Sequence, residues 1–316
     1  MKPFKLLVAS PSFASCSEGL LDEMEQAGIE ITHLRQKQKL HEADFVGIIQ
    51  DYDGLIVGAD IVSRTVMEHA PRLKIISKHG IGLDNIDLQA AEELGIKVCY
   101  AAGSNTVAVA ELACAMIMTL ARGLVKTTRE VASGKWNRSR GVELMGASLG
   151  VLGTGAIGRE VIKRMAAFGM RIQAFDPYPN TAFVHKYGGC YVEFDKLLQQ
   201  SDFITLHLPL TAETCKMIAA EQLSQMKPGA FLVNAARGGI VDEAALYQAL
   251  LSGRLAGAGI DTFEDEPPTG NPLLTLDNVV LSPHLGGYTK EAIDKMSRGA
   301  AANILSCLQE CRKVEP

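Results

Sequence analysis

The sequence predicts an α/β fold of two domains, one inserted into the other, with parallel sheets covered by helices. Three observations predict it. Short apolar runs alternate with amphipathic stretches through the first hundred residues. A second series of such runs follows, opening on a Gly-x-Gly-x-x-Gly at Gly153, Gly155 and Gly158. At 316 residues, 47% of them hydrophobic, the chain is long enough for about two domains with sizeable cores.

The elements follow in order. A strand is expected over 4–9 and a helix over 17–27, ended by Gly28. Next come a strand over 29–33, a helix over 41–50 and a buried strand over 54–57. A helix over 63–70, a strand over 73–77, a helix over 87–94 closed by Gly95 and a strand over 97–100 complete the first series. Residues 106–133 carry one unusually long helical pattern, which fits a helix crossing between domains. The polar loop 134–146 holds the single tryptophan, Trp136, read as interface or core. Strands over 149–152 and 171–175 flank a helix over 160–168 that stops at Gly169. Further strands are expected over 203–208, 231–235, 256–261 and 279–281, and a closing helix over 289–311. Residues 102–285 then form the inserted domain, and 1–101 with 286–316 form the other. Several strands of the inserted domain end on polar residues, at the carboxyl edge where open α/β sheets bind ligands.

Each glycine of the triplet has a separate task. Gly153 permits the tight strand-to-helix turn, Gly155 leaves room for a pyrophosphate, and Gly158 lets helix and strand approach. The helix N-terminus at Ala156 and Ile157 offers free N–H groups and positive dipole to phosphates. Asp176 closes the next strand, where an acidic side chain holds a ribose 2′-hydroxyl and repels a 2′-phosphate. The motif therefore reads as a site for NAD rather than NADP.

Composition excludes other classes. The net charge of −5 comes with no basic block, so neither nucleic acid nor an anionic membrane is an expected partner. Seven scattered cysteines favour reduced thiols in a cytoplasmic protein. Cys307 and Cys311 share a helix face, but no further Cys/His pair completes a metal site, so no metal is expected. The apolar stretch 107–121 contains Glu111 and falls short of a membrane span.

Three polar residues remain at strand ends beside the dinucleotide motif: Arg237, Glu266 and His284. Hydride transfer to a 2-keto acid needs a cation that grips the carboxylate and polarises the adjacent carbonyl, which the planar fork of Arg provides. It also needs a proton donor in the titration range of His, and a carboxylate that holds that His in one tautomer.

In these stretches, and in Gly80-Ile81-Gly82-Leu83-Asp84-Asn85-Ile86-Asp87, Asn105 with Ala108-Val109-Ala110-Glu111, His207-Leu208-Pro209-Leu210-Thr211 and Met226-Lys227-Pro228-Gly229, the chain resembles the D-2-hydroxyacid dehydrogenase family, close to its phosphoglycerate-using branch. The resemblance covers nearly the whole chain. It implies a Rossmann NAD-binding domain inserted into a flavodoxin-like substrate domain, with catalysis in the cleft between them. It implies Arg237, Glu266 and His284 as the catalytic set. It implies NAD contacts at Gly153, Gly155, Ala156, Ile157, Gly158, Asp176, Leu208, Pro209, Thr214, Ala235, Arg237, Asp261, His284, Gly286 and Gly287, with Asp261 on the nicotinamide carboxamide. It implies substrate contacts at Lys78, His79, Gly80, Ile81, Gly82, Asn105 and Arg237. His79 either lines the substrate pocket or caps a turn, and His207 packs beside the adenosine end of the cofactor.

Members of the family are usually homodimers built around the helix that starts near Asn105. Phosphoglycerate-using members commonly carry an Arg just after the strand matching 55–57; here Gly58-Ala59-Asp60 stands there, and Lys78 occupies the place of another phosphate-binding Arg. The chain stops at Pro316, so serine feedback through a C-terminal regulatory domain is not expected. The expected activity is therefore NAD-dependent interconversion of a small D-2-hydroxy acid and its 2-keto acid, of the phosphoglycerate or the hydroxypyruvate/glyoxylate type. The alternative is a dinucleotide-binding regulator, because the C-terminal-binding corepressors resemble this fold and keep the Arg, Glu and His set.

Overall fold

Runs of buried aliphatic residues set the strands: Leu55, Ile56 and Val57 are all 0% exposed, and each such side chain contributes about 1.5–3 kcal/mol on burial. The structure, a computed structural model, describes residues 3–35 and 40–314. The outer limits expected for the first domain, residues 1 and 316, lie outside the described residues. Two compact units divide the chain: one holds the described residues up to Asn105 and from Gly287 onward, the other is Thr106–Gly286.

The first unit begins β1 (Phe4–Val8), α1 (Leu20–Gln26), β2 (Ile29–His33), α2 (Glu42–Ile48), β3 (Gly54–Val57), α3 (Arg64–Glu68), β4 (Ile75–Lys78), α4 (Leu88–Glu93) and β5 (Lys97–Tyr100). Its sheet is parallel, in the order β2-β1-β3-β4-β5, which is the flavodoxin-like order. Alternate residues feed opposite faces, as the strand period demands. Leu7, Leu55, Val57 and Ile76 pack on one side, and Leu6, Val8, Ile56 and Ile75 on the other.

The second unit runs α5 (Thr106–Arg122), α6 (Leu124–Ala132), β6 (Ser148–Leu152), α7 (Ala156–Ala167), β7 (Arg171–Phe175), α8 (Thr181–Lys186), β8 (Cys190–Tyr191), α9 (Phe194–Gln200), β9 (Phe203–Leu206), α10 (Ala220–Gln225), β10 (Ala230–Asn234), α11 (Glu243–Leu251), β11 (Leu255–Ile260) and β12 (Val279–Leu281). Its seven parallel strands lie in the order β12-β11-β10-β9-β6-β7-β8, the Rossmann order carried one strand further. The order reverses at β6, so the carboxyl end of β6 is a topological switch point, where such sheets bind ligands. The chain then returns to the first unit as α12 (Lys290–Val314). Ala300, Ala301, Ile304 and Leu308 of α12 join the core face that carries Leu6 and Ile56.

Several boundaries differ from the sequence expectation. The continuous helix over 106–133 is two helices, bent by 63° at Gly123. Gly123 sits at φ 58, a left-handed conformation that interrupts the helical path. Helix α1 starts at Leu20 rather than at 17, because Gly19 before it has φ 74. Strand β4 starts two residues late, since the Leu73 amide closes a turn onto Ala70 O at 3.0 Å; the shift places Lys78 inside the strand. Trp136 is 80% exposed, so it is not a core residue. No single helix among the described residues is long and apolar enough to cross a membrane.

Candidate active site

The glycine triplet forms the turn between β6 and α7. Gly153 has φ 92, and a Cβ there would overlap the carbonyl of His207. A Cβ on Gly158 would overlap the carbonyl of Gly153, so helix and strand touch at this point. A Cβ on Gly155 would meet nothing within 4 Å. The turn is thus closed on its protein side and open above Gly155. Gly155 is the N-cap of α7 and no side chain caps the helix, which leaves its first N–H groups to a ligand.

Asp176 stands just past β7. Its Oδ2 accepts the Thr154 amide at 2.6 Å and the Thr154 hydroxyl at 3.0 Å, and its Oδ1 accepts the Tyr178 amide at 2.8 Å. The acid, expected to meet a ribose, therefore braces the turn. His207, just past β9, keeps a buried Nδ1 with no partner, while Nε2 meets Thr205 Oγ1 at 3.0 Å. Burial pushes the His207 pKa down to about 3, so the ring is neutral. An open cradle, an uncapped helix end and a buried ring nitrogen without a partner fit a dinucleotide.

The loops that follow the strands of the same sheet carry the three residues expected to be catalytic. Arg237 follows β10; its Nη1 donates to Ala236 O at 2.7 Å, and Asn234 Nδ2 donates to the Arg237 carbonyl at 2.8 Å. Both Glu266 oxygens lie 3.0 Å from His284 Nδ1. That contact favours a proton on Nδ1, which leaves Nε2 as the nitrogen with an acceptor lone pair in the neutral ring. The Phe263 amide donates to Glu266 Oε1 at 3.3 Å. A Cβ at Gly238 would overlap the Phe263 carbonyl, so the Arg237 turn packs against the backbone leading to Glu266.

His284 adopts φ 53, a conformation rare for a side chain other than glycine; such residues cost about 1–3 kcal/mol and cluster at functional sites. Asp261 holds it there. The Asp261 carbonyl accepts the His284 amide at 2.9 Å. Its carboxylate accepts Ser282 Oγ at 2.6 Å, the Leu285 amide at 2.7 Å and the Gly286 amide at 2.8 Å. This pin was not legible in the sequence, which pointed only to a nicotinamide contact for Asp261.

The expected substrate residues Lys78, His79, Gly80, Ile81, Gly82 and Asn105 lie in the first unit. Lys78 is buried at the carboxyl end of β4; its Nζ donates to Gly58 O at 2.6 Å and to Asn85 Oδ1. His79 bridges Ser10 Oγ at 2.8 Å and Ser297 Oγ at 3.0 Å. Burial pushes its pKa down to about 4, with Lys78 and His33 adding to the effect. Nothing in the sequence linked Ser10 and Ser297 to His79, because they reach it from the end of β1 and from α12. Asn105 keeps a buried Oδ1 with no hydrogen-bond partner.

Residues 114–286 match the family model described as D-isomer specific 2-hydroxyacid dehydrogenase, NAD binding domain. A D-3-phosphoglycerate dehydrogenase of Methanocaldococcus jannaschii is 43% identical over 293 residues, covering 91% of this chain and 54% of that protein. The chain thus spans about half the length of that relative. A hydroxypyruvate reductase of Thermotoga maritima is 42% identical over 299 residues, covering 92% of this chain and 94% of that one. Among solved structures, an NAD-dependent formate dehydrogenase from Staphylococcus aureus in complex with NAD aligns with a TM-score of 0.86 at 32% identity, over 99% of this chain and 97% of that one. The sheet order, the dinucleotide cradle and these likenesses lead to one assignment: the chain belongs to the D-isomer specific 2-hydroxyacid dehydrogenase family.

Proposed function

We propose that the protein is an NAD-dependent dehydrogenase that interconverts a small D-2-hydroxy acid and its 2-keto acid. The observation that carries the reading is the Glu266–His284 pair, 3.0 Å apart, on the sheet whose first turn is open above Gly155. NAD, when bound, takes up or supplies the hydride. Arg237 grips the substrate carboxylate and polarises the neighbouring carbonyl. His284 Nε2 delivers a proton to the carbonyl oxygen in reduction and removes it in oxidation. Glu266 keeps the ring in the tautomer that allows both. Residues 102–285 serve as the NAD-binding domain, and 1–101 with 286–316 as the substrate domain. The relatives named above are dehydrogenases and reductases, which favours the enzyme over a dinucleotide-binding regulator.

Within that class the hydroxypyruvate/glyoxylate type has the better support. Lys78, the expected anion contact, donates instead to Gly58 O and Asn85 Oδ1. The loop after β3 offers Asp60 rather than a cation, and Asp60 Oδ1 is engaged by the Leu40 amide at 2.8 Å. A cytoplasmic setting fits seven free thiols. A homodimer fits α6, which buries none of its residues while exposing Leu124 and Val131.

NADH oxidation tests the reading against glyoxylate, hydroxypyruvate, pyruvate and 3-phosphohydroxypyruvate. Turnover is expected, with a higher kcat/KM for hydroxypyruvate or glyoxylate than for the phosphorylated acid. Silence with all four would overturn the enzyme; a clear preference for the phosphorylated substrate would overturn the substrate class.

A further inference from the structure

The segment that carries Glu266 leaves β11 and travels along the surface. Glu264, Asp265, Pro267, Thr269 and Gly270 are all exposed. Apolar burial therefore does little to hold this stretch until Leu273, which is 0% exposed. A cavity of about 290 Å³, lined by Lys216, Asp242, Glu243, Pro268 and Asn271 among others, borders it.

One side chain ties the segment on both sides of Glu266. Glu243, in the first turn of α11, accepts the Glu264 amide on Oε1 at 2.7 Å and the Asn271 Nδ2 on Oε2. The two contacts bracket Glu266. Asn271 in turn uses its Oδ1 to accept the Leu273 amide at 3.0 Å, tying the far end of the segment to the core. Glu243 is itself well placed, because its neighbour Asp242 caps α11 by accepting the Ala245 amide at 3.0 Å. Lys216 adds a weaker bridge, 3.7 Å from Asp242 and 3.8 Å from Glu264.

We infer that Glu243 is a positioning residue for the proposed reaction: by clamping residues 264 and 271 it sets where the Glu266 carboxylate meets His284 Nδ1. The inference rests on the catalytic reading of Glu266 and His284. Glu243 touches neither of the reacting groups, so its effect belongs in turnover rather than in cofactor binding. A displacement of about 1 Å in such a pair costs on the order of a hundredfold in rate.

The test uses polarity reversal. Glu243→Gln sets an amide NH₂ against the Asn271 NH₂, and Asn271→Asp sets two carboxylates together; either single change opens the clamp. The double variant restores it with the polarity exchanged. The amide NH₂ introduced at position 243 then donates to the carboxylate introduced at position 271. The amide oxygen at 243 still accepts the Glu264 N–H, and the carboxylate at 271 still accepts the Leu273 N–H. Steady-state kinetics are measured with NADH and hydroxypyruvate or glyoxylate, beside a fluorescence titration of NADH. Each single variant is expected to lose roughly tenfold or more in kcat with NADH affinity unchanged, and the double to regain most of it. Parental kcat in both single variants, or a double variant no faster than the slower single, overturns the clamp. Glu266→Gln and His284→Ala run in parallel. If they keep the parental kcat, the catalytic reading falls; if they lose it while the Glu243 and Asn271 variants do not, only the clamp falls.

Discussion

A buried imidazole without a charged partner reports itself through pH. His79 lies between two serine hydroxyls at the carboxyl end of the first sheet, with its pKa lowered to about 4 from an ordinary 6.5. The unfolded chain therefore takes up a proton as pH falls through 6.5, while the folded chain resists until about 4. Between those values stability declines as pH falls, and it is fully present above the upper one. His207, lowered to about 3, acts in the same direction. His79→Gln removes one of these contributions, so thermal melting between pH 6.5 and 4 should depend less steeply on pH than in the parent; parallel curves would argue that the ring is not the group responsible. The residues proposed to carry the chemistry could be picked out in the sequence: Arg237, Glu266 and His284 stood beside a glycine motif, and the structure pairs Glu266 with His284. Their supports could not. Asp261 and Glu243 act through hydrogen bonds to residues 21 to 28 positions away, and sequence spacing carries no trace of such contacts.

Among the elements, long apolar runs were read well and short polar ones poorly. Strands such as Gly54–Val57 and Arg171–Phe175 lie where buried aliphatic residues require. By contrast, α8, β8, α9, α10 and α11 went unread: β8 has two residues, Cys190–Tyr191, and α8 and α11 take their starts from the Asn180 and Asp242 caps rather than from periodicity. The break at Gly123 was missed because apolar residues continue on both sides of it, and one left-handed residue overrides the pattern. Asp176 both braces Thr154 and presents a carboxylate at the end of β7. Asp176→Ala removes a charge that would repel a 2′-phosphate, so the kcat/KM ratio for NADPH over NADH should rise on the order of tenfold. The lost bracing should also weaken NADH binding. Steady-state kinetics with both cofactors check this, and an unchanged ratio would place the ribose elsewhere.

For the molecule as a whole, the sequence indicated two α/β domains, and the structure supplies the strand orders that the sequence did not. Which strands neighbour which depends on how crossovers pack, a long-range property that local patterns leave open. Leu124, Val131, Trp136 and Met145 are 50%, 52%, 80% and 78% exposed, a set that a solvated surface does not favour. Light scattering should find two copies per particle, and Val131→Lys with Trp136→Ser should shift the particle towards one. A parent that scatters as a single copy would sink the homodimer.

The return of α12 to the first unit has a consequence for how the protein is made. The core face that holds Leu6, Ile56 and Ile75 is completed by Ala300, Ala301 and Ile304. On the ribosome, β1 through β5 emerge before Thr106–Gly286 together with α1, whose Leu20 and Met24 cover part of that face, while α12 arrives only after the whole inserted unit. The inserted unit is contiguous and can close its own core in the meantime. During that interval the share of the apolar face that Ala300, Ala301, Ile304 and Leu308 later cover stays bare, so of the two units the one begun first is the one finished last.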